Sequence, residues 1–346
     1  MKILVSGGAG FIGSHVAEYY AREGNEVTVF DNLSRAELLG KESKGALYNW
    51  NYLKQKYPEI NLIKGDIRKL GEFRTAGAEV DAIVHVAAQV AVTASMKDPK
   101  TDFEINAAGT FNALEVAREN DASVVLTSTN KVYGENVNRI TVVEKETRYE
   151  FSDPKYRNGI PEDFSIDLTG HSPYGCSKLA ADIYVQDYAH TYGLKTGVFR
   201  MSCIYGERQF GVEDQGWVAW FIIATLIGKP VTIYGDGKQV RDVLYVGDLV
   251  QVFDKFLASN LKHEVCNIGG GPSNSLSLIE LLGLIEKLTN KTPRLTYTDW
   301  RTADQKVYIS NISRAKEILK WVPKITPGEG VGRLIQWVFN NRDSIS

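Results

Sequence analysis

The chain opens with Lys2-Ile3-Leu4-Val5-Ser6-Gly7-Gly8-Ala9-Gly10-Phe11-Ile12-Gly13, a short apolar run followed by closely spaced glycines. The run at 2–5 is typical of a buried strand, and the pattern at 15–23 indicates a helix. Glycines between a strand and a helix let the backbone approach a pyrophosphate, whose charge meets the N–H groups at the helix N-terminus. The stretch therefore predicts a dinucleotide-binding loop, with a tight turn that binds no ligand as the alternative. The residues assigned to the cofactor here are Gly7, Gly10, Phe11, Ile12 and Gly13.

An acidic residue follows the second predicted strand. Asp31 comes directly after the run at 26–30, where a carboxylate can accept hydrogen bonds from the ribose hydroxyls of NAD and repel a 2′-phosphate. Arg35 is the competing signal, since a cation there could receive NADP. We expect NAD, because the carboxylate comes first at the strand end. The cofactor residues assigned to this segment are Asp31, Asn32, Ser34 and Arg35.

Strand and helix patterns alternate along the first half of the chain. Near-continuous apolar strands between amphipathic helices are typical of a parallel sheet covered on both faces. The expected fold is α/β, a doubly wound parallel sheet of the Rossmann type with a smaller C-terminal α/β lobe. The Rossmann domain is expected at 1–200 with 240–262, and the lobe at 201–239 and 263–346. The predicted strands are 2–5, 26–30, 82–86, 123–126 and 195–200; the predicted helices are 15–23, 106–119, 177–192, 278–288 and 313–319; a long loop is expected at 151–170.

Charge and hydropathy exclude two classes of partner. The 346 residues carry 40 Lys plus Arg against 42 Asp plus Glu, a net charge of −2, with no run of five like charges. Nucleic-acid binding is not indicated, because phosphate-backbone affinity needs clustered cations. The longest apolar stretch, 217–227, is about half the length of a bilayer span, and the N-terminal run is too short for a signal peptide. We expect a soluble protein without a membrane segment.

The cysteines and histidines indicate a reducing compartment and no metal. Cys176, Cys203 and Cys266 are odd in number, widely separated and form no CxxC pair. The five histidines share no ligand spacing with them or with each other. We therefore expect reduced cysteines, a cytoplasmic location and no metal site.

Tyr174 and Lys178 form a second candidate constellation. On a helix they would lie one turn apart on one face, with the ammonium near the phenol. A free tyrosine has a pKa of about 10, and a neighbouring cation favours the phenolate. Such a phenolate can take a hydroxyl proton while hydride leaves the same carbon. A surface helix is the alternative for this pair alone, but its position after a dinucleotide loop and a strand that ends near Ser128 and Thr129 favours a catalytic triad.

Over nearly its whole length the chain resembles the extended short-chain dehydrogenase/reductases, the NAD-dependent epimerase/dehydratase group. The resemblance rests on the glycine loop, Asp31-Asn32, Gly65-Asp66-Ile67, Ala87-Ala88-Gln89, Asn106, Ser128-Thr129 before Val132-Tyr133-Gly134, the Tyr174/Lys178 pair and Arg241-Asp242-Val243. It implies that Asp66 and Ile67 flank the adenine and that Thr129 hydrogen-bonds the reacting oxygen. Lys178 would bind the nicotinamide ribose and lower the pKa of Tyr174. The remaining implied cofactor residues are Ala87, Ala88, Gln89, Asn106 and Ser128.

Within that family the chain looks like the enzymes that invert C2 of a CDP-linked 3,6-dideoxyhexose with tightly bound NAD. The distinctive stretches lie at 128–134, 171–178, 208–218 and 237–244. Asn130 and Lys131 stand where the family's 4,6-dehydratases carry an Asp-Glu acid/base pair, and an amide and an ammonium cannot do that work. A UDP-hexose 4-epimerase, another NAD-dependent sugar-nucleotide enzyme and a non-catalytic dinucleotide sensor remain as alternatives.

The resemblance also defines the expected partners. It implies that the substrate is a CDP-sugar, that the protein is a homo-oligomer, dimer or tetramer, and that the process is lipopolysaccharide O-antigen biosynthesis. Arg241 is expected to clamp the sugar-nucleotide diphosphate, because guanidinium groups suit phosphate oxygens. For Arg208 and Arg301, surface ion pairs are the alternative. The assigned substrate residues are Thr129, Asn130, Arg208, Gln209, Arg241 and Arg301, and the catalytic residues are Thr129, Tyr174 and Lys178.

Overall fold

The computed structural model of the protein describes residues 1–35, 45, 47–301 and 304–345. The strands are β1 (Lys2–Ser6), β2 (Glu26–Asp31), β3 (Asn61–Lys64), β4 (Ala82–His85), β5 (Ser123–Thr129), β6 (Val142–Glu144), β7 (Tyr149–Phe151), β8 (Thr196–Met201), β9 (Cys203–Tyr205), β10 (Val231–Tyr234), β11 (Val240–Tyr245), β12 (His263–Ile268), β13 (Ser275–Ser277), β14 (Leu295–Thr298) and β15 (Val307–Tyr308). The helices are α1 (Phe11–Arg22), α2 (Tyr48–Lys56), α3 (Leu70–Ala76), α4 (Val92–Lys97), α5 (Pro99–Phe103), α6 (Gly109–Asn120), α7 (Pro173–Tyr192), α8 (Trp217–Ile227), α9 (Val246–Ala258), α10 (Leu278–Thr289), α11 (Ser313–Leu319), α12 (Pro327–Asn340) and α13 (Arg342–Ile345). A π-helical turn at Glu104–Ala108 joins α5 to α6.

A seven-stranded sheet is built in the order β12-β8-β5-β4-β1-β2-β3. The pairs β1–β2, β1–β4, β2–β3 and β4–β5 are parallel, as crossover helices between successive strands require. The direction of winding reverses between β1 and β4, which is the edge where doubly wound folds bind ligands at the carboxyl ends of their strands. The predicted doubly wound parallel sheet is confirmed.

The core beside this sheet comes from the apolar runs that the sequence analysis identified as strands. Leu4, Ile83 and Val124, from three adjacent strands, are fully buried. They pack in one cluster with Phe73 of α3 and Leu114 of α6. Each such side chain contributes about 1.5–3 kcal/mol by leaving water.

Helix α7 begins earlier than its predicted start at residue 177. The Ser172 side chain accepts a hydrogen bond from the Gly175 backbone N–H, and Pro173 occupies the first helical position. A hydroxyl cap followed by proline is a strong helix start, and Gly193 in the left-handed conformation ends the helix. Because the helix starts at 173, Tyr174 lies in its first turn.

The molecule divides into two compact units. Unit 1 is Met1–Val132, Ser172–Arg200 and Val250–Cys266, and unit 2 is Tyr133–His171, Met201–Leu249 and Asn267–Ser346. The expected boundaries differ from these units at residues 133–171, 240–249 and 263–266, the last of which belong to β12 of the seven-stranded sheet. The physical reason is strand pairing, because β11 pairs with β9, β13 and β15, and Ile160 forms a bridge with Ser310.

Unit 2 is a smaller α/β structure with its own core. Strand β11 is central to a four-stranded sheet, β10 and β14 form a parallel pair, and β6 and β7 form an antiparallel hairpin. Helices α8, α10 and α12 contribute the buried residues Ile222, Leu281 and Leu334 to one cluster. In the described parts of the chain, no helix is long and apolar enough to cross a bilayer.

Candidate active site

The glycine loop between β1 and α1 is closed so tightly that side chains are excluded at two positions. Gly7 has a φ of 71°, and a Cβ there would lie 2.6 Å from the Ala87 backbone nitrogen. A Cβ on Gly13 would overlap the Gly7 carbonyl oxygen. Glycine at these two positions therefore allows a turn whose backbone a ligand can approach closely.

Helix α1 presents an N-terminus suited to an anion. Gly10 is the N-cap, it supplies no side-chain hydrogen bond, and the first turn contains no acidic residue. The N–H groups of that turn and the helix dipole therefore favour a negative group, and the pyrophosphate of a dinucleotide fits this requirement. Phe11 and Ile12, predicted to belong to the cofactor loop, are the first residues of the helix, which therefore begins before its predicted start at residue 15.

Asp31 is held at the carboxyl end of β2 by backbone donors. Its carboxylate accepts hydrogen bonds from the Ala9 N–H at 3.0 Å and the Leu33 N–H at 2.8 Å. Burial raises the pKa of this carboxyl, and the two backbone donors lower it in part. The side chain thus lies against the glycine loop, in the position predicted for a ribose-binding acid.

The residues around Asp31 form a local polar cluster. Asn32 accepts from the Ser34 N–H at 3.1 Å and the Ser34 hydroxyl at 2.7 Å. Arg35 is half-buried, and its burial lowers the pKa of the guanidinium. Asp66 is paired with Arg68 at 2.6 Å, which lowers the pKa of Asp66. These contacts order the segments predicted to hold the ribose and the adenine.

The Ala87, Ala88 and Gln89 segment follows β4 and is fixed by Asn106. The Gln89 N–H donates to the Asn106 Oδ1 at 2.9 Å, and the Asn106 Nδ2 donates to the Gln89 carbonyl at 3.0 Å. Ile67 is also buried, and its carbonyl accepts from Asn112 at 2.8 Å. Asn106 is fully buried, and its side-chain amide fixes the Gln89 backbone through these two hydrogen bonds.

Ser128 lies at the end of β5, and its side chain, like that of Asn106, forms a hydrogen bond within the protein. Its hydroxyl donates to the Asp182 Oδ2 at 2.6 Å. Asp182 is fully buried and pairs with Arg200 through two hydrogen bonds of 3.0 Å. The Ser128 side chain therefore anchors the end of β5 to α7 and β8.

Thr129, Tyr174 and Lys178 are brought together in unit 1, and all three are buried. Burial raises the pKa of the Tyr174 phenol to about 12, a hydrogen bond with Thr129 lowers it, and the charge of Asp102 raises it further. The Lys178 ammonium donates to the Thr127 carbonyl at 2.7 Å, and burial lowers its pKa to about 8. The pKa of Tyr174 is thus above its usual value, opposite to the direction expected for a base assisted by Lys178, because desolvation dominates.

Thr129 is oriented by the two residues that follow it. The Lys131 backbone N–H donates to the Thr129 Oγ1 at 3.2 Å. The Thr129 hydroxyl lies 3.3 Å from the Asn130 Oδ1 that can accept its proton. Asn130 is therefore beside the triad as an amide, with no carboxylate at either position.

The predicted substrate residues of unit 2 lie in polar surroundings. Arg241 is largely buried and donates to the Asp304 Oδ1 at 2.6 Å. Arg301 stacks 3.9 Å above the Tyr234 ring and donates to the Glu213 carbonyl and to Asp214. A surface ion pair was the alternative for Arg301, and the Asp214 contact at 3.2 Å belongs to that kind of interaction.

Arg208 and Gln209 occupy one loop of unit 2. Arg208 is buried and has a φ of 62°. A non-glycine residue in the left-handed region carries strain and is found more often at functional sites. Gln209 donates from its Nε2 to the Ile204 carbonyl at 3.2 Å. The alternative of a surface ion pair for Arg208 does not fit its burial.

Several residues in these networks were not identified from the sequence. Asp304, the partner of Arg241, lies 63 residues away from it in the chain, so local spacing gives no signal for this pair. Ser177 lies inside the Tyr174/Lys178 motif itself. Asp102 and Asp182 carry no sequence signal beyond helical spacing from Asn106 and Lys178. Within the described residues, no three His, Cys, Asp or Glu side chains are grouped to hold a metal ion.

Comparison with known proteins places the chain among NAD-dependent enzymes. Residues 3–269 match the NAD dependent epimerase/dehydratase family. The chain is 41% identical over 348 residues to the CDP-paratose 2-epimerase of Salmonella typhi, covering 97% of this chain and 99% of that protein.

Solved structures give the same result at the level of the fold. The UDP-glucose 4-epimerase of Thermotoga maritima, solved with UDP-glucose, matches with a TM-score of 0.82 and 29% identity, covering 99% of this chain and 100% of that one. The UDP-glucose 4-epimerase of Thermus thermophilus, in complex with NAD, matches with a TM-score of 0.78 and 30% identity, covering 97% and 98%.

These matches confirm the resemblance stated from the sequence, the enzyme class and the choice of NAD. The family match spans β1 to β12, and so contains both the glycine loop and the triad. The chain therefore belongs to the NAD dependent epimerase/dehydratase family, and NAD is its cofactor.

Proposed function

We propose that the protein inverts C2 of a CDP-linked 3,6-dideoxyhexose, interconverting CDP-paratose and CDP-tyvelose. The observation that carries the proposal is the 41% identity, over nearly the full length of both chains, with a CDP-paratose 2-epimerase. The buried triad of unit 1 supports it, because such an inversion needs one site that removes and returns hydrogen at the same carbon.

Unit 1 supplies the residues that would hold NAD. The Gly7 to Gly13 loop and the first turn of α1 suit the pyrophosphate, and Asp31 suits the adenosine ribose. Asp66 and Ile67 would contact the adenine, while Gln89 and Lys178 would contact the nicotinamide half. When bound, NAD supplies the acceptor and donor of the hydride exchanged at C2.

The chemistry assigned to this chain's own residues is proton transfer and orientation. Tyr174, as its phenolate, takes the proton of the C2 hydroxyl as the carbon is oxidised, and returns it when the other face is reduced. Thr129 donates a hydrogen bond to the same oxygen and fixes its position. Because burial holds the pKa of Tyr174 near 12, the cationic Lys178 and the positive charge of the oxidised cofactor are needed to favour the phenolate.

The residues after Thr129 oppose a dehydratase reaction. Elimination of water needs an acid and a base on the sugar, which carboxyl groups provide. Here the positions hold the Asn130 amide and the Lys131 ammonium. Asn130 is buried beside Thr129 and is proposed to contact the sugar.

Unit 2 supplies the groups proposed to bind the nucleotide part of the substrate. A cavity of about 480 Å³ is lined by Trp300, Arg301, Asp304 and Lys306, among other residues. Cations suit a diphosphate, and Asp304 pairs with Arg241 at 2.6 Å. Arg208 and Gln209 are proposed to act in the same recognition, which makes this unit the nucleotide-sugar lobe.

A UDP-hexose 4-epimerase is the second candidate. It is favoured by the whole-chain match to the Thermotoga maritima enzyme solved with UDP-glucose, at a TM-score of 0.82. A non-catalytic dinucleotide sensor is disfavoured, because Thr129, Tyr174 and Lys178 are all retained and brought together.

The protein is further proposed to be a cytoplasmic homo-oligomer, a dimer or a tetramer. Helices α6 and α7 leave the side chains of Phe111, Ile183 and Tyr184 between 41% and 48% exposed. Phe111 and Tyr184 contact each other with ring centroids 5.9 Å apart, so they form one apolar surface suited to a second copy. A role in lipopolysaccharide O-antigen biosynthesis depends on the proposed substrate and stays a prediction.

The test is a labelling experiment. CDP-paratose with deuterium at C2 should give CDP-tyvelose that keeps the label at C2, with no solvent hydrogen entering that carbon, as followed by NMR in one sample. Inversion with loss of label to water would rule out hydride transfer. Turnover of UDP-glucose at C4, with none of the CDP-sugar, would replace this function by the 4-epimerase.

A further inference from the structure

A buried carboxylate that the proposed chemistry does not use lies within unit 1. Asp102, in α5, is 1% exposed and accepts three hydrogen bonds from three different segments. Its Oδ1 accepts from the Gln89 Nε2 at 2.7 Å and from the Asn106 Nδ2 at 3.2 Å. Its Oδ2 accepts from the Ser177 hydroxyl at 2.5 Å. One carboxylate therefore joins the segment after β4, the π-helical turn and helix α7.

Ser177 connects this carboxylate to the catalytic pair. It lies on α7 between Tyr174 and Lys178, and its oxygen is 3.1 Å from the Tyr174 carbonyl. The Tyr174 N–H donates to the Ser95 hydroxyl at 3.1 Å, so the first turn of α7 is fixed at a second point. Because Asp102 is the acceptor for Ser177, it defines how this turn sits against the segment that carries Gln89.

The π-helical turn makes the connection possible. An extra residue in the turn Glu104–Ala108 shifts Asn106 relative to a regular helix, and such turns often occur at functional sites. Asn106 donates both to Asp102 and to the Ser177 Oγ at 3.1 Å, while it holds the Gln89 backbone. Gln89 is the residue proposed to contact the nicotinamide half of the cofactor.

We propose that Asp102 is a positioning residue, whose carboxylate holds the Tyr174 turn of α7 in register with the Gln89 segment through Ser177. The proposal rests on the proposed function for the role of Tyr174, and it adds a residue that no part of that mechanism requires. The negative charge of Asp102 has a second effect, because it raises the pKa of the Tyr174 phenol and so opposes its ionisation.

The variants separate positioning from simple loss of stability. Asp102→Ala removes the acceptor that the Gln89, Asn106 and Ser177 side chains share, and is expected to lower kcat by about ten- to a hundredfold, with KM for the CDP-sugar and NAD content unchanged. Asp102→Asn still accepts from Gln89 and Asn106, and should recover much of kcat. Asp98→Ala is the matched control, since Asp98 is exposed and caps the same helix through the Thr101 N–H at 3.0 Å.

A double-mutant cycle tests the link to α7. Ser177→Ala should lower kcat to a similar extent, and the double variant Asp102→Ala/Ser177→Ala should lose little more than either single variant, because both remove one connection. Additive losses would overturn the role of Ser177 as the link. Loss of thermal stability with kcat unchanged, as expected for Asp98→Ala, would make Asp102 merely structural.

The pH profile gives a readout that a structural role would not move. The titratable groups whose charges interact in this part of unit 1 are Lys178 and Asp182 of α7, His85 of β4 and Asp102 itself. Asp102→Asn removes the negative charge of Asp102 while its oxygen still accepts from Gln89 and Asn106, so the ascending limb of kcat, governed by Tyr174, should shift to lower pH. An unshifted limb would overturn the electrostatic part of the proposal.

A substrate-independent measurement distinguishes failure of this proposal from failure of the proposed function. Hydrogen exchange of amides 172–182 should accelerate in Asp102→Ala holoenzyme and stay as in the wild type in Asp98→Ala. If the wild type does not convert the CDP-sugar, the proposed substrate is wrong and the exchange result alone decides. Unchanged exchange in Asp102→Ala overturns the positioning role.

Discussion

The environment of Tyr174 makes its hydroxyl, the proposed base, difficult to ionise. The phenol is buried with Thr129 as a hydrogen-bond partner, and its pKa is raised to about 12. Tyr174→Phe keeps the ring and removes only this hydroxyl, so we expect a folded protein that retains NAD but loses about two to four decades of turnover. Tyr188→Phe is the matched control, because its hydroxyl on the same helix donates to Glu115 at 2.7 Å. Near-normal turnover in Tyr174→Phe would show that another group is the base.

His85 predicts how stability responds to acid. It is fully buried between the Ser6 hydroxyl at 2.7 Å and the Thr110 hydroxyl at 3.0 Å, and burial lowers its pKa to about 3. Thr110 gives its own proton to the Asn106 carbonyl at 2.6 Å, so the His85 Nε2 donates to Thr110 while Nδ1 accepts from Ser6. The neutral ring therefore satisfies both hydroxyls, and protonation would break this arrangement.

The sign of the pH effect follows from the pKa of His85, which is about 3 in the folded state and about 6.5 in the unfolded state. Between about 3 and 6.5 the unfolded state binds a proton at His85 that the folded state does not, so stability is full above pH 6.5 and is lost as the pH falls. The loss at pH 5 is about 2 kcal/mol from this residue. Urea unfolding of wild type and His85→Gln should show a difference in free energy that narrows from pH 7 to pH 5. A difference independent of pH would contradict a neutral buried histidine.

At the scale of the element, the turn from β1 to α1 gives a sharp test of cofactor binding. A Cβ on Gly13 would overlap backbone atoms of Gly7 and Gly8, none of which is a flexible side chain. Gly13→Ala should therefore distort the loop and lower the NAD content of the purified protein by at least about tenfold. Gly71→Ala in α3 is the control, since a Cβ there meets nothing within 4 Å. Full NAD retention in Gly13→Ala would show that the loop does not hold the pyrophosphate.

The elements also show which features could be predicted from sequence. Strand β1, the glycine turn and Asp31 were predictable because local composition alone determines them. The start of α7 at 173 was within reach, since Ser172 and Pro173 form a recognisable cap. The π-helical turn was not, because its apolar spacing continues that of α6 and the contacts of Asn106 there are with Gln89 and Ser177, 17 and 71 residues away in the chain. Contacts between distant segments leave no periodic signal in either of them.

At the scale of the whole molecule, the chain passes between its two units several times. Residues 133–171, between β5 and α7, belong to unit 2, whereas the residues on either side of them belong to unit 1. Strand β11 also lies in unit 2, although the sequence analysis assigned residues 240–262 to the Rossmann domain. The reason is that pairing partners such as β13 and β15 come from much later in the chain. Domain boundaries defined by such long-range pairing cannot be derived from local patterns.

On the proposed function, the cofactor and the nucleotide of the substrate are bound by residues of different units, and a variant of Arg241 can test this proposal. Arg241 belongs to unit 2 and is paired with Asp304 at 2.6 Å, whereas the loop and acid expected to hold NAD belong to unit 1. A charge-assisted contact between a guanidinium and a diphosphate is strong, so Arg241→Ala should raise the dissociation constant of the CDP-sugar by at least about tenfold. NAD content should stay at the wild-type level.

The control for Arg241 lies in the same unit. Arg148 is also paired with a carboxylate at 2.6 Å, that of Glu280, and it contacts Ser275 within unit 2. Arg148→Ala should lower thermal stability and leave the affinity for the CDP-sugar nearly unchanged, because its partners are structural. Calorimetric titration of both variants with CDP, together with assay of released NAD, separates the two roles. Equal loss of NAD and CDP in Arg241→Ala would mean that the arginine supports the fold of unit 2 and does not bind the diphosphate.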